Sequence, residues 1–576
     1  MSEPAGDWHE TAEPSTAAVG ETAGPHPPER RVCRRVRSGK RPRLAGSVIR
    51  RRSPWPYRAA SQPVGFWRST ARPDPPPLPK SFLPARPPGP QLRPTDPHSP
   101  LELFQMYFSR DAVDTLCRNT NKQAARNICP GGKYAWVDID VAEFHKFMGL
   151  TFYTALVELG DIDSYWRRDH LFSVPFPATV MTRDRYRLIS CSLQMSDPDE
   201  DVENDMKEGT ADYDRLFRLK PLLEVLRAAC LSLYHPRRNL SVHERMAATA
   251  AVQARPRVKQ CTEATPVRRG FRLFVLADSS NGYAVDFFVY TGKSTFPSAT
   301  SVGFGSVASL IAPAYLGTGY HLYVDDFYTS PRLFKHLYAL GVAACGPYRG
   351  GEYPGARRNA MTRKHPRGTI RWIRDGSLLF VKWMDSQEFS FCSTIHAAFS
   401  GHTAQRRVRN PDSSWSTESI PCPAAIVDYD ENMGGLDLFN QLIQYRTEHK
   451  KTARWYRTLF FHFMDIAATN GYLLHRELRQ ASALQPMTRR EFQEELTAQL
   501  CRGTSESPPP QEVCMHMPVR ISQQRDQSQK ASSGCKTCIH CRESRHVYQL
   551  TPWQCNECQV PLCLIVDRNC FEEWHK

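Results

Sequence analysis

The sequence predicts an α/β protein built in parts: an N-terminal helical domain, a mixed α/β core carrying a β-rich insertion, and a small cysteine-rich, two-zinc module at the C terminus. Three observations lead there. Apolar residues recur at helical spacing between Leu101 and Met195, short β-branched and aromatic runs take over from about Asn239, and 7 of the 18 cysteines fall in the last 42 of 576 residues. A chain of this length holds roughly three or four domains and a large core, which excludes a small disulfide-stapled scaffold. No window reaches the ~18 consecutive apolar residues of a membrane-spanning helix, and the acidic start MSEPAGDWHE has no apolar run like that of a signal peptide. The expectation is a soluble intracellular protein with no membrane partner.

Charge and proline are unevenly placed. The first 100 residues hold 21 of the 45 prolines and 17 Lys/Arg against 8 Asp/Glu, so they supply +9 of the net +16. Residues 1–98 show no sustained apolar period and are expected to be a disordered Pro/Arg-rich arm. Its run from Arg30 to Arg52 reads as a nuclear localisation signal or a phosphate-binding arm, which gives the expectation of a nuclear protein.

Residues 99–235 form the helical domain, suited to dimerisation or DNA binding. LELFQMYFSRDAVDTLCRNTN has helical spacing, a second helix over Val141–Leu156 has its expected cap at Asp138, and a third starts from a cap at Thr182 or Asp184. Residues 236–484 form the α/β core. LSVHERM, RLFVLAD, GYAVDFFVYTG and YHLYVDDF read as strands, and SPRLFKHLYALG as a helix with Leu333, Leu337 and Leu340 on one face and Gly341 as its stop. Alternation around the Asp375-Gly376 turn marks a β-rich insertion at about 345–420, and helix returns from about Gly435 to Leu484. Residues 485–534 read as a linker and 535–576 as the metal module.

In that module, two CxxC pairs stand thirteen residues apart with further Cys and His behind them. Each short CxxC loop lets two thiolates reach one ion, and Cys535, Cys538, Cys541, Cys555, Cys558, Cys563, Cys570 and His575 make the eight ligands that two closed zinc sites require. Cys535 and Cys541 compete as partners of Cys538, and His540 or His546 is an alternative to one of them. The linear pattern does not match the spacing of a ubiquitin-ligase RING.

Four stretches carry a resemblance: FVLADSSNGYAVDFFVYTGK, HLYVDDFYTSPRLFKHL, ENMGGLDLFNQLIQYRTEHKKTARWYRTLFFHFMDIAATNGYLLH and the terminal Cys/His module. In this order they resemble the piggyBac transposase family of the DDE/DDD superfamily, in its host-retained, transposable element-derived members, over roughly residues 101–576. The resemblance implies an RNase H-like transposase core in which three Asp, from two strands and a later helix, bind two divalent ions such as Mg2+ for in-line attack on DNA phosphate. It matches Asp325 to the second Asp and Asp437 to the third. At the first position this chain has His243, beside Glu244. Imidazole is a poor ligand for Mg2+, and neighbouring strand residues point to opposite faces, so Glu244 is a poor substitute. Asn440 stands where many relatives carry a further Asp.

Asp278, Asp286 and Asp326 read as strand-edge or solvent-facing acids. Basic clusters flank the acid motifs, among them Arg268, Arg269, Arg272, Lys293, the run Arg357 to Arg374, Lys450, Lys451, Arg454 and Arg457; with Trp372, Trp383, Trp455 and Tyr456 between them, they suit phosphate contacts and base stacking. The expected function is therefore a transposase-derived protein that binds double-stranded DNA, forms a homodimer as its relatives are expected to, and has lost transposition chemistry. Alternatives are an active metal-dependent transposase or nuclease, with Mg2+ retained, and a protein-interaction factor working through its zinc module.

Overall fold

The computed structural model describes most of the chain from Trp67 to His575, apart from internal stretches of which the longest are 128–135, 249–259, 262–268, 350–360, 443–453, 503–516 and 522–533. Residues 1–66, with the basic run, lie outside the described residues.

Order begins earlier than the sequence indicates. Strand β1 (Arg68–Ser69) pairs antiparallel with the strand Ile370–Asp375, and Trp372 Nε1 donates to the Ser69 carbonyl at 3.1 Å. Asp74 accepts both arms of the Arg374 guanidinium, at 2.6 and 2.5 Å, with the two side chains only 3% and 9% exposed. Strands β2 (Leu83–Pro84) and β3 (Gly89–Pro90) pair with Gly317–Thr318 and Tyr234–His235. The expectation of disorder through residue 98 is thus corrected over residues 67–98. This strap is held by backbone pairing with distant strands and by the Asp74–Arg374 ion pair 300 residues apart in sequence, which leave no local apolar period.

Helix α1 (Pro100–Gln105) has a full capping box between Ser99 and Glu102 with proline in the first turn. It leads to α2 (Arg110–Asn127) and α3 (Val141–Leu156), whose cap is Asp140 rather than Asp138, its carboxylate accepting from Glu143 N at 2.7 Å. After α4 (Phe176–Val180), Thr182 caps α5 (Arg183–Ser192), and α6 (Pro198–Met206) and α7 (Lys220–Leu233) complete the set. These helices share one apolar core with the sheet: Phe104, Phe152 and Leu226 belong to the same buried cluster as Leu240, Phe287 and Phe460.

The central sheet contains β5 (Asn239–Ala248), β6 (Gln260–Cys261), β7 (Arg269–Asp278), β8 (Ala284–Val289), β10 (His321–Val324), β11 (Ala343–Pro347), β12 (Ile370–Asp375), β13 (Leu378–Met384) and β14 (Glu388–Ser393), with β4 (Tyr234–His235) and β9 (Gly317–Thr318) serving the strap. Its order is β1-β12-β13-β14-β11-β10-β5-β7-β6, with β8 on β7; only β10 runs parallel to its neighbours, β5 and β11. The first strands of the expected insertion therefore extend the main sheet. Helices α8 (Val302–Leu310), α9 (Pro313–Leu316) and α10 (Pro331–Ala339) lie between β8 and β11, and a two-stranded ribbon follows, β15 (Thr403–Arg409) with β16 (Trp415–Pro421).

Helices α11 (Ala424–Asn432) and α12 (Gly435–Leu442) return to the sheet. The long α13 (Trp455–Ala481) is buried on nearly all sides, as its near-continuous apolar run requires. Helix α14 (Arg489–Arg502) lies where a linker was expected: Phe492, Leu496 and Leu500 are fully buried, and α14 packs so closely on α3 that a Cβ on Gly149 would come 2.6 Å from Cys501 Sγ. The tail has β17 (Pro518–Arg520), also from the expected linker and paired with β20 (Trp553–Cys555), then β18 (Lys536–Thr537), α15 (Ile539–Arg545), β19 (Leu550–Thr551) and α16 (Cys570–His575). No helix among the described residues is long and apolar enough to cross a membrane.

Candidate functional site

Parallel pairing of β5 with β10 sets Val242 opposite Val324, so the residues that follow, His243 within β5 and Asp325 just past the end of β10, lie side by side. Asp325 Oδ1 accepts from Phe327 N at 2.9 Å, and burial pushes its carboxyl above the usual carboxylate range against the opposing influence of His243. His243 is half-buried, and its Nε2–H donates to the Met433 carbonyl at 3.0 Å. That carbonyl belongs to the C-cap residue of α11, whose N–H donates to the Tyr429 carbonyl, just before the glycine pair that leads into α12. A Cβ on Gly435 would lie 2.7 Å from Ser241 Oγ, 2.8 Å from Ser279 Cα and 3.0 Å from the Asp278 carbonyl, so only glycine lets α12 seat against β5 and the end of β7. Asp437 lies in the first turn of α12; its side chain, like that of Asn440, lies outside the described residues.

The remaining acids are occupied elsewhere, and Asp278 and Asp286, read as strand-edge or solvent-facing acids, are in fact buried because each is held by hydrogen bonds from neighbouring side chains. Glu244 bonds Arg272, whose guanidinium also lies 4.9 Å from the Phe274 ring and 5.0 Å from that of Phe327. Asp278 accepts from Tyr234 Oη, Arg237 N and both Ser280 N and Oγ; Asp286 takes a bidentate bond from Arg227 at 2.7 and 2.8 Å; Asp326 pairs with Arg349.

A further acid escaped the sequence reading. Asp428 on α11 accepts from Tyr323 Oη at 2.5 Å and His396 Nε2 at 2.8 Å; burial pushes its carboxyl up, but these bonds outweigh that and hold it below the usual range. This network ties α11 to β10. Its partners are 105 and 32 residues away in sequence, with no motif to announce them.

The basic clusters are only partly as read. Arg268, Lys293, Lys450 and Lys451 lie outside the described residues, as does the side chain of Arg269 on β7. Arg454 is half-buried and donates to Tyr456 Oη at 2.8 Å, Arg457 is buried and donates to the Leu193 carbonyl at 3.3 Å, and Arg374 serves Asp74. Trp372 and Trp383, read as candidates for base stacking, are each 1% exposed and belong to the core, because the strands that carry them are covered on both faces. Exposed tryptophans among the described residues are Trp415, on the ribbon, and Trp574, in the tail.

In the tail, Cys538, Cys541, Cys563 and Cys570 are all buried with their Sγ atoms within 4.8 Å of one another; Cys541 Sγ is 3.9 Å from that of Cys563 and 3.5 Å from that of Cys570. Tetrahedral zinc with Zn–S of ~2.3 Å spaces its sulfurs at about 3.8 Å, so these thiols fit the ion. A second group joins Cys555, Cys558 and His575, with Cys558 Sγ 3.1 Å from His575 Nε2. His575 Nδ1–H donates to the Phe571 carbonyl at 2.7 Å, which turns the Nε2 lone pair toward the thiols.

Cys535 belongs to neither group, which corrects the eight-ligand set and decides the competition for Cys538. Strand β18 carries the chain away from Cys535, whereas α15 begins directly after Cys538 and places Cys541 within its first turn. His540 pairs with Glu573 at 2.9 Å and His546 ends α15 at a φ of 54°, so neither replaces a thiol.

Comparison with known proteins places this arrangement. Residues 99–472 match the family model described as Transposase IS4. The human PiggyBac transposable element-derived protein 3 is 22% identical over 493 residues, covering 83% of this chain and 76% of the relative. Human PiggyBac transposable element-derived protein 5 is 21% identical over 436 residues, 73% of this chain and 79% of the relative. The fold matches a piggyBac transposase seen in a synaptic complex with hairpin DNA, with a TM-score of 0.62 at 19% identity, covering 83% of this chain and 98% of that one.

Proposed function

This chain belongs to the IS4-type transposase family in its piggyBac branch, and on that premise we propose that it is a host-retained DNA-binding protein without transposition chemistry, its tail held by two structural zinc ions. One observation carries the loss of chemistry: the imidazole at the first acid position is already bonded to the Met433 carbonyl. The family implies divalent metal. A pair of hard cations needs anionic oxygen, and here an imidazole lies beside Asp325 while Glu244 and Asp326 are paired with Arg272 and Arg349, so the described residues do not fit such a pair. The thiols of the tail do fit zinc, which there supplies cross-links that hold the module folded.

DNA binding is supported by the net charge of +16 and by the DNA in the synaptic complex of the structural neighbour. Nuclear residence rests on the run Arg30 to Arg52. The test is fluorescence anisotropy of the full chain on duplex DNA over a salt series, alongside plasmid nicking with Mg2+. Binding should weaken steeply as salt rises, and no nicking should occur. Absent or salt-insensitive binding overturns the DNA reading. Mg2+-dependent nicking that disappears in Asp325→Ala overturns the loss of chemistry.

A further inference from the structure

The β15–β16 ribbon forms its own two-stranded sheet, apart from the ten-stranded one. Seven cross-strand pairs fix its register, so its two faces can be read residue by residue. One face turns toward the body: Ile420 is buried, and Arg406 donates to Asp385 at 3.0 Å and lies 5.3 Å from the Trp383 ring. The only acid in the two strands, Glu418, is opposite Arg406 on this inner face. The outer face carries Thr403, Gln405 and Arg407 on β15 and Ser419, Thr417 and Trp415 on β16, all exposed. Arg407 lies 5.5 Å from the ring of Trp415, which is itself 60% exposed.

We propose that this outer face docks in the major groove of duplex DNA. The proposal rests on the DNA-binding reading above and locates one contact surface for it. A guanidinium, hydroxyls and an amide on a face without carboxylates complement phosphate oxygens and base edges, and the indole adds apolar contact with sugar or thymine methyl. Two strands ~4.8 Å apart fit a groove ~12 Å wide. Seven pairs reach roughly 20 Å, the rise of about six base pairs. Fixing the inner face through Arg406 and Ile420 presents the outer one without a large ordering cost on binding.

The experiment uses the full chain and a fluorescein-labelled mixed-sequence duplex. Arg407→Ala should weaken binding several-fold and lower the slope of log affinity against log salt by about 1, and Trp415→Ala should weaken binding with the slope unchanged. Independently of how the variants fold, hydrogen exchange of the wild-type chain should slow over residues 403–421 when duplex is added, and should not when poly-glutamate is added. If the wild type binds duplex with the same affinity and slope as both variants, or if 403–421 gains no protection, the ribbon proposal falls and DNA binding stands. If the wild type does not bind duplex at all, the functional reading falls first. Equal protection by poly-glutamate overturns the proposal in favour of an acidic protein partner.

Discussion

In the C-terminal module four thiols converge within 4.8 Å around a core whose only fully buried aliphatic residue among those described is Leu562, whereas His243 and Asp325 lie on or just past two strands whose residues Leu240, Val242, Leu322 and Val324 are all fully buried. The contrast lies in what holds each region together. On the zinc reading proposed above, a small segment with so little apolar area relies on the metal to fold, so each converging thiol is also a structural element. The strands beneath the acid positions fold on packing alone. An imidazole is accommodated there, with the Met433 carbonyl as its partner.

The largest expected effect tests the first half of that contrast. Cys541→Ser should lower the zinc content of the full chain by one equivalent and open the tail to limited proteolysis while the main melting transition stays in place. Structural zinc contributes on the order of 10 kcal/mol to folding of such modules. Cys535→Ser should leave zinc content unchanged; a loss of zinc there would restore Cys535 to the ligand set.

The second half is tested at the seat of α12. Gly435→Val drives a side chain into Ser241, Ser279 and the Asp278 carbonyl and should cost about 3 kcal/mol in urea unfolding. A change within about 0.5 kcal/mol would mean that α12 sits loosely on β5 and β7.

The smallest effect separates the two regions by pH. Burial holds His321, on β10, down to about 4 from 6.5, with Arg238 and His396 lowering it further and Asp428 opposing. The folded state keeps this imidazole neutral while the unfolded chain takes up a proton. Its contribution is therefore complete above pH ~6.5 and is lost as pH falls toward 4, by about 2 kcal/mol. His321→Gln should flatten the stability curve of the main transition in that window. Zinc release from the tail as its thiolates protonate should persist in the variant, because the two regions titrate independently.

The strands, the acid motifs and the cysteine spacing were legible because each is written in local residue pattern. Leu240 and Val242 alternate, the glycines before Asp437 mark the turn into α12, and CxxC brings two sulfurs to one point. The strap was not legible, because Asp74 gains its meaning only from Arg374 on a strand 300 residues later. Helix α14 was assigned to a linker because its charged residues dilute the apolar stripe of Phe492, Leu496 and Leu500. Cys541 could be preferred over Cys535 only once α15 was seen to start at Cys538, and nothing in the chain announced that Trp372 and Trp383 face a covered sheet.

The two-residue strand β1 has a consequence beyond stability. Without it, β12 would present a free edge of unpaired amides and carbonyls, a template on which a second molecule could add its own strand. Arg68 and Ser69 close that edge at Trp372 and Arg371, and the chain turns at once, with Arg72 N bonded to the Ser69 carbonyl, into Pro73, which has no amide proton to offer. An incoming strand meets a two-residue stub with an exposed arginine and a proline close behind, too short a ladder to extend. The same few residues that anchor the strap also guard the widest sheet of the molecule against edge-to-edge aggregation.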